Sequence, residues 1–182
     1  MKKIDTSTWN EIEEQGNNER KMLPAGGYIG KILTVEDLPE KQYLKITWDI
    51  SEGEYKGNGA SCLERNGFLP KAFSFIRSYK ESALGFFKGF ISAVEQSNPG
   101  YKWDFDERKL VGKTIGVVLG DEEYRKKDGS IGTRPVFDKV RSAETIRGGH
   151  FDIPPLKKLA EDAPAAPVWS AVADTDDDQL PF

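Results

Sequence analysis

Tyr43-Leu44-Lys45-Ile46-Thr47-Trp48-Asp49-Ile50 alternates between two sets of side chains without a break. On a strand, successive side chains point to opposite faces. Leu44, Ile46, Trp48 and Ile50 therefore form an apolar face, and Tyr43, Lys45, Thr47 and Asp49 a wet one. One side belongs in a core and the other in water, and Trp48 goes with the core. This is a strand of a half-buried sheet, and the neighbouring segments are read against it.

Upstream, Pro24-Ala25-Gly26-Gly27 is a breaker, and the β-branched and aromatic run Tyr28 to Val35 is the first strand. Asp37-Leu38-Pro39-Glu40 turns it into Tyr43–Ile50. Further back, Thr8 and Glu11 fit a capping box, with Trp9 and Ile12 on one face of a short helical arm that packs back on the body. Downstream, the turn-rich stretch Gly53 to Gly67 is expected to be a long loop, and Ala72 to Tyr79 the third strand. The period then changes. Ala83, Leu84, Phe87, Phe90, Ile91 and Val94 recur at three and four, a helical stripe stopped by Asn98-Pro99-Gly100. That stripe is expected to plug one end of the body. Trp103 to Leu110 connects to a short strand, Thr114 to Leu119. Asp128-Gly129 marks a hairpin tip, and Pro135 to Ile146 is expected to be the last strand.

Five strands with one helix between the third and fourth is the order of an OB-fold, a Greek-key barrel whose faces and loops bind oligonucleotides. The predicted fold is mainly β: a five-stranded barrel of this type, with a short N-terminal helical arm and an acidic C-terminal tail. The divisions are 1–21 for the arm, 22–159 for the barrel and 160–182 for the tail. That tail is rich in Ala, Pro and Asp and is expected to be disordered.

The 182 residues carry a net charge of −4, which hides an asymmetry. Residues 1–19 hold two bases against five acids, residues 20–158 hold 24 against 19, and residues 159–182 hold six acids and no base. A mildly basic body with an acidic tail suits a nucleic-acid binder carrying a tethered tip, although an ordinary domain can have the same balance. Cys62 and His150 are each alone, which excludes an internal disulfide framework and zinc sites built on Cys and His clusters. No apolar run approaches a membrane span, and Met1-Lys2-Lys3-Ile4-Asp5 leads into no apolar signal region. No phosphate-cradling glycine motif is present. These features point to a cytoplasmic, non-enzymatic protein without cofactor or metal. Self-association is left open.

The chain ends Asp176-Asp177-Asp178-Gln179-Leu180-Pro181-Phe182. An acidic run that closes on an aromatic ring and a free carboxylate can dock on a partner. This ending resembles the C-terminal tip of bacterial and phage single-stranded DNA-binding proteins, with Gln179 as the departure. The body shows a second likeness. Gly26-Gly27-Tyr28, Tyr43-Leu44-Lys45-Ile46, Ser78-Tyr79-Lys80, Phe86-Phe87-Lys88-Gly89-Phe90, Ser97-Asn98-Pro99-Gly100, Val111-Gly112-Lys113 and Glu122-Glu123-Tyr124 resemble, in this order, a family of small proteins from phages of Gram-positive bacteria. Ile146-Arg147-Gly148-Gly149 and Ile153-Pro154 continue the likeness, which spans about residues 22–159. It implies an OB-fold single-stranded DNA-binding protein acting in phage replication, recombination or repair in the host cytoplasm. Its partners would be the single strand and, through Asp176, Asp177, Asp178, Leu180, Pro181 and Phe182, replication or recombination proteins.

A single-strand binder needs cations for phosphates and flat rings for bases. Four places supply them. The hairpin carries Tyr124, Arg125, Lys126, Lys127 and Arg134, which also reads as a solvated turn. The last strand carries Phe137, Lys139 and Arg141, expected on one face opposite Val136 and Val140 unless Phe137 lies under the helix. The third strand carries Phe75, Arg77 and Tyr79, where Phe75 is equally a core residue. The wet face of the second strand carries Tyr43 and Lys45. Two other readings compete. One is a barrel that binds protein. The other is a metal-dependent nuclease built on Asp121-Glu122-Glu123, for which no third converging acid is evident.

Overall fold

The computed structural model describes residues 23–159. The expected arm over 1–21 and the tail with its tip lie outside these residues, apart from the tail's boundary. The described strands are β1 (Gly26–Leu38), β2 (Tyr43–Ile50), β3 (Ser74–Ser78), β4 (Thr114–Arg125) and β5 (Ile131–Arg141). They form one antiparallel sheet in the order β3-β2-β1-β4-β5. The described helices are α1 (Asn58–Asn66), α2 (Leu84–Ser97) and α3 (Ala143–Arg147). None is long and apolar enough to cross a membrane.

The sheet curls because β1 serves two partners. Gly26 to Lys31 pair with β4 and Gly30 to Leu38 with β2, and a bulge at Leu33, just past the end of the β4 pairing, bends the strand. The edges β3 and β5 then approach each other, and Phe75 stacks on Phe137 across the gap with centroids 4.4 Å apart. A nearly closed five-stranded barrel with α2 between β3 and β4 is the architecture of an OB-fold.

The alternation of β2 holds: Leu44, Ile46, Trp48 and Ile50 are all buried. They meet Ile32, Phe73, Ile115, Val117 and Leu119 in the main core, and α2 closes it with Phe90, Ile91 and Val94. The Trp48 indole N–H donates to the Ala72 carbonyl at 3.1 Å, which satisfies its one polar atom in the core. Leu84, expected in the helical plug, is exposed, and Phe87 is half-buried.

A second, smaller core covers the outside of the β1–β4 pair. Ile29 and Val118 pack there against Ala143 and Ile146 of α3, with Phe151 alongside. Glycines make the room. A Cβ on Gly116 would sit 2.6 Å from Ile146, one on Gly120 would sit 2.6 Å from Pro154, and one on Gly27 would collide with Phe151. The chain after α3 thus runs as a strap along the sheet. Beyond Leu119, β1 no longer reaches β4, and Lys157 takes that edge. Its N–H donates to Asp121 O and its carbonyl accepts from Glu123 N–H, both at 2.9 Å.

Three sequence expectations are corrected. The loop over 53–67 contains α1. Its one glycine and two asparagines, with a glycine at each cap, hide it, and its start is held by a distant residue. The Asp49 carboxylate accepts the N–H groups of Gly59 and Ala60 at 2.8 and 3.0 Å, and that of Ile50 at 2.7 Å. Asp49 is therefore buried, although it lies on the polar face of β2. The third strand begins at Ser74, after a 3-10 turn over Lys71–Phe73. The last strand is Ile131–Arg141, because Ser142 caps α3 by accepting the Thr145 N–H at 3.2 Å. β1 and β4 also run further than expected.

Two outcomes follow. Asp49→Ala strips the α1 start of its anionic acceptor, and we expect a loss of roughly 2–3 kcal/mol in urea unfolding, since hydrogen bonds to charged groups are worth about 1.5–3 kcal/mol. The Tyr28 phenol, bonded to Pro24 O at 2.6 Å, is pushed up to about 12 by burial, with Tyr55 and Asp121 adding to the shift. A raised folded-state value means that its neutral form stabilises the fold below about pH 10. That contribution is lost as pH rises from there through about 12, so Tyr28→Phe should flatten this part of an alkaline melting series.

Candidate nucleic-acid interface

The β4–β5 hairpin turns where the sequence places it. Gly129 has φ +83°, its N–H donates to Lys126 O at 3.0 Å, and Lys126 N–H donates to Ser130 O at 2.8 Å. This is a three-residue loop with glycine in the left-handed position. Asp128 accepts the Ser130 hydroxyl and N–H, which hold its carboxyl below the usual range.

The cations of this hairpin are not equivalent. Arg134 is paired with Glu122 at 2.6 Å and lies 5.1 Å over the Tyr124 ring. It covers one face of that ring, and its charge is already compensated. Arg125, Lys126 and Lys127 have no ion pair among the described residues, and the two lysines are exposed. They form the free positive edge of the barrel.

Phe137 does not share a face with Lys139 and Arg141. Leu119 pairs with Phe137 and Val118 with Lys139, so Asp138 is an extra residue, a bulge that inverts the alternation. Phe137 and Val140 both turn into the main core, while Lys139 aligns with outward Val118 and lies 3.5 Å from Asp138. Arg141, also outward, is exposed.

Phe75 is core as well, only 6% exposed. Arg77 follows it on the inward side, opposite Leu44, with its guanidinium 4.9 Å from the Phe75 centroid and 5.1 Å from that of Phe137. Its one hydrogen bond among the described residues runs to Ile76 O at 2.9 Å. Burial pushes the guanidinium down to about 10. Aromatic faces, rather than a carboxylate, stabilise this cation. Phe75, Arg77 and Phe137 thus form one group that closes the gap between β3 and β5.

Tyr43 and Lys45 face outward on β2 beside Ile76 and Ser78 of β3. Lys45 is only loosely held by Glu36, at 3.9 Å. Tyr79, just past β3, donates its hydroxyl to Asp37 at 2.8 Å and packs edge-on against Phe87. The acids of the nuclease reading diverge: Glu122 turns outward to Arg134, whereas Glu123 accepts the Leu159 N–H at 3.1 Å. Among the described residues no group of three His, Cys, Asp or Glu is placed to hold a metal ion.

Sequence reasoning missed a further aromatic group. Trp103 packs on Phe87 at 6.4 Å, and Phe105 sits 6.1 Å from Trp103. Two rings two residues apart in a segment outside any strand were the available signal.

The chain matches no protein-family model and no curated protein. Architecture alone places it, as an OB-fold-like barrel.

The seam makes a stability prediction. Phe137→Ala should cost about 3–5 kcal/mol, the range for removing a large packed ring. An unchanged denaturation midpoint would mean that the ring is dispensable to closure.

Proposed function

We propose that this protein binds single-stranded DNA along the outward β2–β3 face and the β4–β5 hairpin. The observation that carries this reading is the set of three cations, Arg125, Lys126 and Lys127, without ion pairs among the described residues, on the long hairpin of an OB-type barrel. In such barrels the strand 2–3 face and the neighbouring loops form the oligonucleotide path. Tyr43 and Lys45 supply a ring and a charge on that face. Phosphates bind the hairpin cations, and bases lie on exposed rings. Phe75 and Phe137 support the face from inside, and Arg77 caps them.

In this reading the protein coats exposed strand during phage replication, recombination or repair and prevents re-pairing. Its C-terminal tip, with Asp176, Asp177, Asp178, Leu180, Pro181 and Phe182, recruits partner enzymes. Leu159, tied to Glu123, sets the start of the tail beside the hairpin. The acidic tail can therefore compete with DNA for the same cations.

A salt titration of oligo(dT) binding tests this, with duplex as control. We expect tight single-strand binding, weak duplex binding and a steep loss with salt. Replacing Arg125, Lys126 and Lys127 together by Ala should weaken binding and reduce the salt slope by about 2, since each single-strand phosphate contact contributes about 0.7. No binding at low salt would remove the reading and leave a protein-binding barrel.

A further inference from the structure

Phe105 is 87% exposed, the most exposed of the large apolar side chains in the described residues. Its backbone is also left-handed, with φ +66°. Only one other non-glycine residue among those described shares that conformation, Gln42 at φ +56°. A side chain with a Cβ disfavours this region, so it persists where surrounding structure imposes it.

The surroundings do impose it. On one side, Asp104 is paired with Lys109, and on the other, Asp106 is paired with Arg108 at 2.9 Å. Asp106 also caps the following 3-10 turn, and Trp103 N–H donates to Glu95 at 2.9 Å. The segment is anchored at every neighbour of Phe105, yet the ring itself meets only Trp103 among the aromatic groups.

Phe105 ends a row of rings. Tyr79, Phe87, Trp103 and Phe105 follow one another at 6.3, 6.4 and 6.1 Å. The row starts at the proposed DNA face: Tyr79 N–H and the Ser78 hydroxyl both donate to Gln42 O, at 2.9 and 3.2 Å. Both left-handed non-glycine residues thus flank the same row.

We propose that Trp103 and Phe105 are a stacking platform for nucleobases, continuing the strand path from the β2–β3 face around Tyr79 towards the helix end of the barrel. This rests on the single-strand reading above and adds a site to it. The two carboxylates beside Phe105 are paired within the segment by Arg108 and Lys109, and Glu107 leaves it one negative charge, so the platform offers rings and no free cation. Its contribution is insensitive to salt, unlike that of the hairpin.

The test uses the full chain and two oligo(dT) probes, of about 6 and about 20 nucleotides, within and beyond the site size of one OB-fold. Phe105→Ala should weaken the longer probe about 5-fold or more, with the salt slope unchanged and the shorter probe little affected. Trp103→Phe keeps a stacking ring and should retain most of the affinity while losing part of the tryptophan quenching. Phe105→Gly relieves the backbone and should melt above the wild type, yet bind the long probe as weakly as Phe105→Ala. If Phe105→Ala binds both probes like the wild type, the patch serves a protein partner and the platform is wrong. If both Phe105 variants melt well below the wild type, the ring is structural and the proposal also fails. If the wild type binds neither probe, the single-strand reading fails with it, and that result is distinct from a Phe105-specific loss.

Discussion

The stacking of Phe75 on Phe137 is the contact on which the rest depends. An open five-stranded sheet has two edges, and here no backbone ladder joins β3 to β5. Two parallel rings span the gap, and the Arg77 guanidinium lies over both. Side-chain closure of this kind holds the barrel shut while leaving strand edges unpaired. The alternation of β2 then leaves Tyr43 and Lys45 on the outer face.

Two single-residue irregularities shape the surface. The bulge at Leu33 bends β1 so that it can serve both halves of the barrel. The bulge at Asp138 sends Phe137 and Val140 to the same side, although they lie three positions apart, an odd spacing that would otherwise put them on opposite faces. Without the second, Phe137 would face water and the seam would lose its partner. The glycines at 27, 116 and 120 have a complementary effect, since their missing side chains admit α3 and the strap to the outer face. That face is thereby covered, and the β2–β3 face is left as the open one.

Charge and aromatic surface are separated in this molecule. Three cations without ion pairs among the described residues, Arg125, Lys126 and Lys127, are consecutive at the hairpin, whereas Arg108 and Lys109 near Phe105 are each matched by a carboxylate. The two surfaces therefore differ in kind, one rich in cations and one in exposed ring.

The sequence by itself determined the element types with strong periodicity. The strict alternation at Tyr43–Ile50 marks its strand to the residue, and the three-four spacing through Phe90, Ile91 and Val94 marks α2. Asp128-Gly129 marks the hairpin, because only a left-handed residue completes that loop. The OB-type order was legible once Tyr28 to Val35, Ala72 to Tyr79, Thr114 to Leu119 and Pro135 to Ile146 were read as strands beside them. The candidate site was legible only as a set of residue types. Which rings face out depends on bulges, and a bulge leaves no local pattern in the chain. Helix α1 depends on Asp49, which is distant in sequence from the amides that it holds. Arg134 reads as a free cation until β4 brings Glu122 beside it. Phe105 stands in an unremarkable connecting segment until ion pairs on either side fix its backbone. Periodicity records the environment that each residue shares with its near neighbours. Pairings across the barrel are decided by the closure of the sheet, and only the tertiary structure contains that closure.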